Sequence, residues 1–251
     1  MLPFGTTVVG SQGDAGAANI ADYIAHTINQ STVHVKLAIN ASRVGESTVE
    51  GCFEDIDNID VSECVEAIDR YRSHIWGVAV NVSHHACGAT DPKLVMTRGL
   101  EIAKAADLPL LFGMRRPEDW SLAEQLRLLR AGDVVTYCFR RSPHCIVNQA
   151  AVLPAVWDAR KRGVLFDIGH GTASYDPEVA RIAINDEFAP DTISTDLQAR
   201  HIGQTPRHTL PLVMEKLLTA GMPKEDILTA VTSTPSRIMQ VSPAIEPGAA
   251  P

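Results

Sequence analysis

The sequence predicts an α/β protein built as a TIM-like (β/α)8 barrel that lacks its first strand. Three observations predict it. Short apolar runs alternate with helix-length segments along almost the whole chain. Seven such runs can be placed, where a closed barrel of this kind has eight. Polar residues also recur at alternate positions of buried runs: Lys36 and Asn40, Asn81 and Ser83, then Thr192, Ser194 and Asp196. A barrel lets such side chains converge near one mouth. An open doubly wound sheet, which seven strands would also allow, would press them against helices.

Residues 163–201 set the pattern. Apolar runs at 164–168 and 192–195 each end in a polar cluster, Asp167-Ile168-Gly169-His170-Gly171 and Ser194-Thr195-Asp196, with a helix at 176–186 between them. Strand, helix, strand at this spacing is a βαβ unit with parallel strands. The clusters fall at the carboxyl ends of those strands, the face on which α/β barrels carry their chemistry. Before this unit, residues 6–9 form a β-branched strand that passes through a glycine-rich loop into a helix at 17–29. Residues 33–39 alternate, with Leu37 and Ile39 on one face and Lys36, Ala38 and Asn40 on the other. A helix starts near residue 61, with Ser62 as candidate N-cap. A strand at 76–82 ends in Ser83-His84-His85-Ala86-Cys87-Gly88, and a helix at 91–106 runs into a strand at 108–112. Pro117 opens a helix at 118–130, a strand covers 133–138, and 150–162 is helical. Helices at 209–220 and 224–231 and a last turn at 234–239 close a domain of residues 1–240, with 241–251 as a disordered tail.

Bulk properties narrow the class. The chain is 45% hydrophobic and 21% charged, as a globular protein is. A net charge of −8 without any basic stripe argues against a nucleic-acid partner or an anionic membrane surface. No apolar run approaches the roughly 18 residues of a membrane span. Residues 1–5 lack the charged and apolar regions of a signal peptide. Five cysteines without framework spacing read as reduced thiols, so the expected location is cytoplasmic. A barrel one strand short exposes two sheet edges, from which a homo-oligomer is expected.

Several stretches, in this order and spacing, resemble the amidohydrolase superfamily in its amidohydrolase/deacetylase metallohydrolase branch. They are Thr6-Thr7-Val8-Val9 with Gly13-Asp14-Ala15-Gly16, Ile39-Asn40-Ala41-Ser42-Arg43-Val44-Gly45, Leu108-Pro109-Leu110, Gly132-Asp133-Val134-Val135-Thr136 and Arg162-Gly163-Val164-Leu165-Phe166-Asp167-Ile168-Gly169-His170-Gly171. The strongest is Pro190-Asp191-Thr192-Ile193-Ser194-Thr195-Asp196-Leu197, and the resemblance covers residues 6–239. It implies a (β/α)8 barrel that hydrolyses amides or related bonds with one or two divalent metals, zinc by expectation. Zinc held by three protein ligands lowers the pKa of a bound water to about 7. An Asp at the end of the last strand takes the water's proton and passes it to the leaving nitrogen. The resemblance further implies a His-x-His pair on the first strand, a carboxylated Lys on the fourth, and a His ending each of the fifth and sixth.

The chain departs from that pattern. No His-x-His precedes Thr6 in these residues, so the family's first strand is expected either to be missing or to lie upstream in a longer protein of which this chain is a fragment. Ala79 stands at the lysine position, Gly113 and Tyr137 at those of the two histidines, and Gln198 where the last motif usually has His. Asp196 and His170 are kept.

The candidate site follows from these matches and departures. Asp196 is the expected catalytic proton carrier and a metal ligand, the plain alternative being a helix N-cap. His170, between glycines that let backbone approach a ligand, is a candidate substrate contact. Asp167, facing inward from mid-strand, requires a buried partner. His84 and His85, with Cys87, offer imidazole and thiol ligands for a metal, or form a polar loop. Arg140, in Cys138-Phe139-Arg140-Arg141-Ser142-Pro143-His144-Cys145, is a candidate grip for a substrate carboxylate. Lys36 could reach the space vacated at Ala79, as a replacement ligand or the cation of a metal-free site, or run past the barrel bottom. Asn81 is a further candidate substrate contact. Arg200 and His201 reach toward the mouth, whereas Arg207 and His208 are expected to cap the next helix. The expected function is hydrolysis of a C–N bond, amide or cyclic amide, in a small-molecule substrate. One alternative is a degenerate barrel that binds small molecules or serves as a scaffold without any metal. Another is an enzyme with one relocated metal on Asp196, His84 or His85 and Cys138.

Overall fold

A computed structural model describes residues 2–46, 51–114, 119–148 and 150–242. Pro117 and residues 243–251 of the expected tail lie outside the described residues. The chain divides into two compact units, Phe4–Arg115 and Arg116–Ile245.

In the first unit, β1 (Val8–Gln12), β2 (His34–Asn40), β3 (Ile75–Asn81) and β4 (Leu110–Gly113) lie side by side in sequence order, all parallel. Between them run α1 (Ile20–Tyr23), extended by a π-helical turn at Ile24–Ile28, then α2 (Val61–Arg70), α3 (His84–Cys87) and α4 (Pro92–Ala105). Leu37, Ile39, Val78, Val80, Leu110 and Phe112 are buried, as parallel strands covered on both faces require. Each such side chain contributes about 1.5–3 kcal/mol relative to its exposed state. Helix starts follow local chemistry. Asp60, not Ser62, caps α2, its carboxylate accepting the Glu63 N–H at 2.9 Å; Ser62 already lies inside the first turn. Asp91 caps α4, and Pro92 follows where a missing N–H costs nothing.

The second unit holds α5 (Leu122–Leu128), β5 (Val134–Thr136), a hairpin of β6 (Val147–Asn148) and β7 (Ala151–Val152), α6 (Pro154–Lys161), β8 (Leu165–Phe166) and α7 (Pro177–Asn185). It ends with α8 (Leu210–Thr219), α9 (Lys224–Val231) and α10 (Ser233–Met239). The helix expected from residue 150 starts only at Pro154, because β6 and β7 pair antiparallel ahead of it. β5 and β8 are parallel neighbours. The strand expected at 192–195 narrows to one bridge, Asp167 to Thr192. Its backbone still follows the extension of β8, with His170 N–H donating to Ser194 O at 3.1 Å and Gly171 N–H to Thr195 O at 3.0 Å. Gly169 (φ 50) and Gly171 (φ 45) turn the chain out of β geometry, so the ladder stops there.

The core of this unit is aromatic. Phe188 meets Phe166 edge-on at 5.1 Å and Trp157 at 5.2 Å, and the Arg160 guanidinium lies 3.7 Å from the Phe188 ring centroid. Arg160 also donates to Asp191 Oδ2 at 2.9 Å, and the same oxygen accepts the Phe166 N–H at 2.8 Å. Asp191 of the Pro190-Asp191-Thr192 motif thus fixes β8 to α6. Parallel strands taken in sequence order with helical crossovers are the TIM-like pattern; among the described residues four of them lie in the first unit and two in the second, and β6 and β7 form the antiparallel hairpin. No helix among them is long and apolar enough to cross a membrane.

Candidate active site

The carboxyl ends of β5 and β8 and the extended segment after α7 carry a polar cluster centred on Asp167. This carboxylate is buried and accepts three hydroxyls: Thr136 Oγ1 at 2.7 Å, Thr192 Oγ1 at 2.7 Å and Ser194 Oγ at 2.6 Å. Burial holds its pKa above the ordinary carboxylate value, and the three hydroxyls pull the other way. The buried partner required for Asp167 is therefore a set of hydroxyls and not a cation. Ser194 Oγ also accepts the Gly169 N–H at 3.1 Å, so one network fixes three adjacent chain segments.

Beyond Asp167 the backbone turns left-handed at four places: Tyr137 (φ 69), Gly169, Gly171 and Asp196 (φ 48). Such conformations in an aromatic and an acidic residue are costly, and they gather where structure over-determines them. The glycines make them compatible. A Cβ on Gly169 would sit 2.3 Å from Thr136 Oγ1 and 2.7 Å from Tyr137 Cδ1, and one on Gly171 would sit 2.3 Å from Asp196 Oδ2. Asp196 therefore rests directly against the bare α-carbon of Gly171. Its Oδ1 accepts from Gln198 Nε2 at 3.1 Å. It is not an N-cap, since the short 3-10 turn that follows begins at Ala199 with Gln198 in the cap position.

Arg140 is half-buried on the same side. Its Nη1 donates to Ser174 Oγ at 2.9 Å, its guanidinium carbon lies 6.0 Å from the Tyr137 ring centroid, and it makes no ion pair among the described residues. Burial lowers its pKa, while Tyr137 and the Asp196 carboxylate draw it upward. Its neighbour Arg141 is mostly exposed and paired with Asp176 at 2.9 Å.

Three imidazoles come together in this unit, His201 stacked on His208 and His170 tilted against His208. His170 lies 5.1 Å from His208, and His208 lies 4.3 Å from His201, centroid to centroid. His170 Nδ1 meets Gly171 O at 2.8 Å, so Nδ1 carries the proton and Nε2 accepts from the Lys216 ammonium, also at 2.8 Å. Burial first, and then the Lys216 charge, push the His170 pKa down to about 4, so the ring is neutral. Both ring nitrogens are thereby engaged inside the protein. His201 accepts the Gln198 N–H on Nδ1 at 3.0 Å and donates from Nε2 to Thr172 at 2.7 Å. His208 was expected to cap α8. Instead, its Nε2 donates to Thr195 O at 2.6 Å, and the α8 N-cap, Thr209, makes no side-chain cap bond.

The remaining candidates lie in the first unit and are not gathered together. Lys36 turns its ammonium to Ser73 O at 2.9 Å, just before the amino end of β3, because it sits early in β2. It follows the barrel-bottom alternative, not the replacement of a ligand near Ala79. Asn81 Oδ1 accepts the Ser83 N–H at 3.1 Å and shapes the turn into α3. His84 and His85 are both exposed, whereas Cys87 is buried with its thiol toward Asn81 O at 3.7 Å, so the three do not face one point. Cys138 is fully buried, and burial raises its thiol pKa.

Sequence reasoning missed Tyr137, Thr172, Lys216 and the site role of His208. The signal for Lys216 was its place on the α8 face that carries Val213 and Leu217, both buried.

The donor set does not fit the metal centre that the resemblance implies. Ala79, Gly113 and Tyr137 supply no ligand at three of its positions, and the nitrogens of His170 and His201 are spent on internal bonds. Among the described residues, no group of three or more His, Cys, Asp or Glu side chains could hold a metal ion.

The fold is of the TIM-like class, and comparison with known proteins agrees. No protein-family model matches the chain. It is 32% identical over 244 residues to a deacetylase of Brucella anthropi, covering 95% of this chain and 59% of the relative. A deacetylase of Enterococcus faecalis is 30% identical over 241 residues, 92% of this chain and 63% of the relative. Among solved structures, a dihydroorotase is 31% identical with a TM-score of 0.85, over 95% of this chain and 66% of that one. An adenine deaminase is 28% identical with a TM-score of 0.88, over 96% and 65%. The chain belongs to the amidohydrolase superfamily. It spans about three-fifths of the length of the curated relatives it matches.

Proposed function

We propose that the chain hydrolyses the C–N bond of a small amide or cyclic amide that carries a carboxylate. The carrying observation is Asp196, seated against Gly171 and electrostatically coupled to the half-buried Arg140. The names of the relatives, deacetylase, dihydroorotase and adenine deaminase, support C–N hydrolysis as the reaction class. Arg140 binds the substrate carboxylate through the planar guanidinium donors that Ser174 leaves available. Asp196 accepts a proton from the attacking water as its oxygen bonds to the carbonyl carbon. The same proton passes to the nitrogen as the C–N bond breaks, leaving an acid and an amine. Because the donor set does not fit a metal, no step is assigned to one. The five free cysteines, all buried, support a cytoplasmic setting.

The test is turnover of N-acetyl amino acids and cyclic amides by wild type, Asp196→Asn and Arg140→Gln. Asp196→Asn lowers kcat by about 10²–10⁴-fold, and Arg140→Gln raises KM with little change in kcat. No turnover of any compound, or full activity in Asp196→Asn, overturns the reading. Elemental analysis of the same samples closes the metal question: stoichiometric zinc that leaves with Asp196→Ala would make Asp196 a ligand. The engaged nitrogens of His170 and His201 favour one second reading, a barrel that binds such compounds without hydrolysing them. It predicts saturable binding with no product.

A further inference from the structure

A separate cleft lies between α7 and α8 in the second unit. Its volume is about 490 Å³, within the range of small-molecule sites. Tyr175, Arg181, Lys216 and Thr219 are among its lining residues. Its charges are unevenly matched. Arg141 bonds Asp176 at 2.9 Å, and Arg181 bonds Glu178 at 2.9 Å, so both lining carboxylates are occupied by arginines. Lys216 differs. Its ammonium donates to the neutral His170 Nε2, lies 5.5 Å from the Tyr175 ring centroid, and has no carboxylate partner among the described residues. A half-buried ammonium without a counter-ion is unfavourable, and burial lowers its pKa accordingly. Two of its three N–H groups remain for a ligand.

We propose that this cleft binds a small organic oxyanion, whose carboxylate or phosphate head pairs with Lys216 and whose body lies along Tyr175. The site is distinct from the Asp196 site and does not rest on the hydrolase reading. It is nonetheless connected to it: Lys216 holds His170, and the next residue, Gly171, lies against Asp196. An anion that draws on the Lys216 ammonium acts on the hydrogen bond that orients His170, so occupancy is communicated to the loop bearing Asp196.

Titration calorimetry at low ionic strength with benzoate and phenyl phosphate tests this in wild type, Lys216→Met and Thr219→Glu. Thr219→Glu is the safer variant. Thr219 is exposed and its hydroxyl bonds Glu215 O one turn back, so a carboxylate there competes for the anion site while the Lys216 ammonium and the His170 ring are both kept. The expected result is saturable binding of at least one probe, one per chain, weakened tenfold or more in both variants. Wild-type His170 ring signals shift on binding in NMR spectra. The tighter probe identifies the head group. Absence of saturable binding by either probe, or binding that survives either variant, overturns the proposal.

Discussion

Replacing Asp167 by alanine tests whether the hydroxyl network holds the site together. Asp167→Ala removes the acceptor of three hydroxyls at once. Thr136 and Thr192 are buried and cannot turn to water, and a stranded buried hydroxyl costs about 1–3 kcal/mol. Ser194 is half-buried, so water replaces its partner and it adds about 0.5 kcal/mol. The carboxylate's own desolvation is relieved, while the vacated volume loses packing; these act in opposite directions. The expected loss is about 3 kcal/mol, a urea midpoint lowered by about 1 M for a slope of about 3 kcal/mol/M. Asp167→Asn keeps one acceptor oxygen and the side-chain volume, and costs about 1 kcal/mol.

The pH dependence has a definite sign. Burial raises the folded-state pKa of Asp167 above 3.8, so between 3.8 and the raised value the folded chain binds more protons than the unfolded one. Stability from this group is full below 3.8 and is lost as pH rises through the folded pKa. The advantage of wild type over Asp167→Asn, which does not titrate, therefore shrinks as pH rises from acid toward neutral. Urea unfolding of wild type and both variants across that window decides it. A midpoint for Asp167→Ala within error of wild type, or an advantage that grows with pH, would refute the network argument.

Gly171→Ala places a Cβ 2.3 Å from Asp196 Oδ2 at a left-handed φ. It should cost about 1–3 kcal/mol in stability and lower kcat more than it changes KM, measured by urea unfolding and steady-state kinetics. Thiol accessibility gives an independent check on the fold. All five cysteines are free and buried, and burial pushes Cys52 and Cys64 up to about 12, so the native protein should label slowly at pH 8 and release five thiols in denaturant.

The sequence made legible what depends on local period and on residues at strand ends. Alternation in 192–196 put Thr192, Ser194 and Asp196 on one face, and the structure turns the first two onto Asp167. The βαβ spacing brought Asp167 and His170 to the same end as Asp196. What stayed hidden depends on contacts between distant segments. Tyr137 takes a left-handed backbone that residue type does not predict, and Gly169, more than 30 residues later, leaves the space its ring needs. Neither residue explains the other until the two strands are side by side. His208 looked like a helix cap because it precedes α8, but the excursion from Asp196 to Thr209 folds back and stacks it on His201.

The same physics accounts for the ligand pattern. A histidine that serves a metal must leave a nitrogen open, and a buried imidazole left open has to find another partner. His170 finds Gly171 O and Lys216, and His201 finds Gln198 and Thr172. The absence of ligands at Ala79, Gly113 and Tyr137 and the internal bonding of these imidazoles are thus consistent with each other. A site organised this way relies on hydrogen bonds to hold Asp196 and Arg140, which is why the stability of Asp167 variants and the activity of Asp196 variants should fall together.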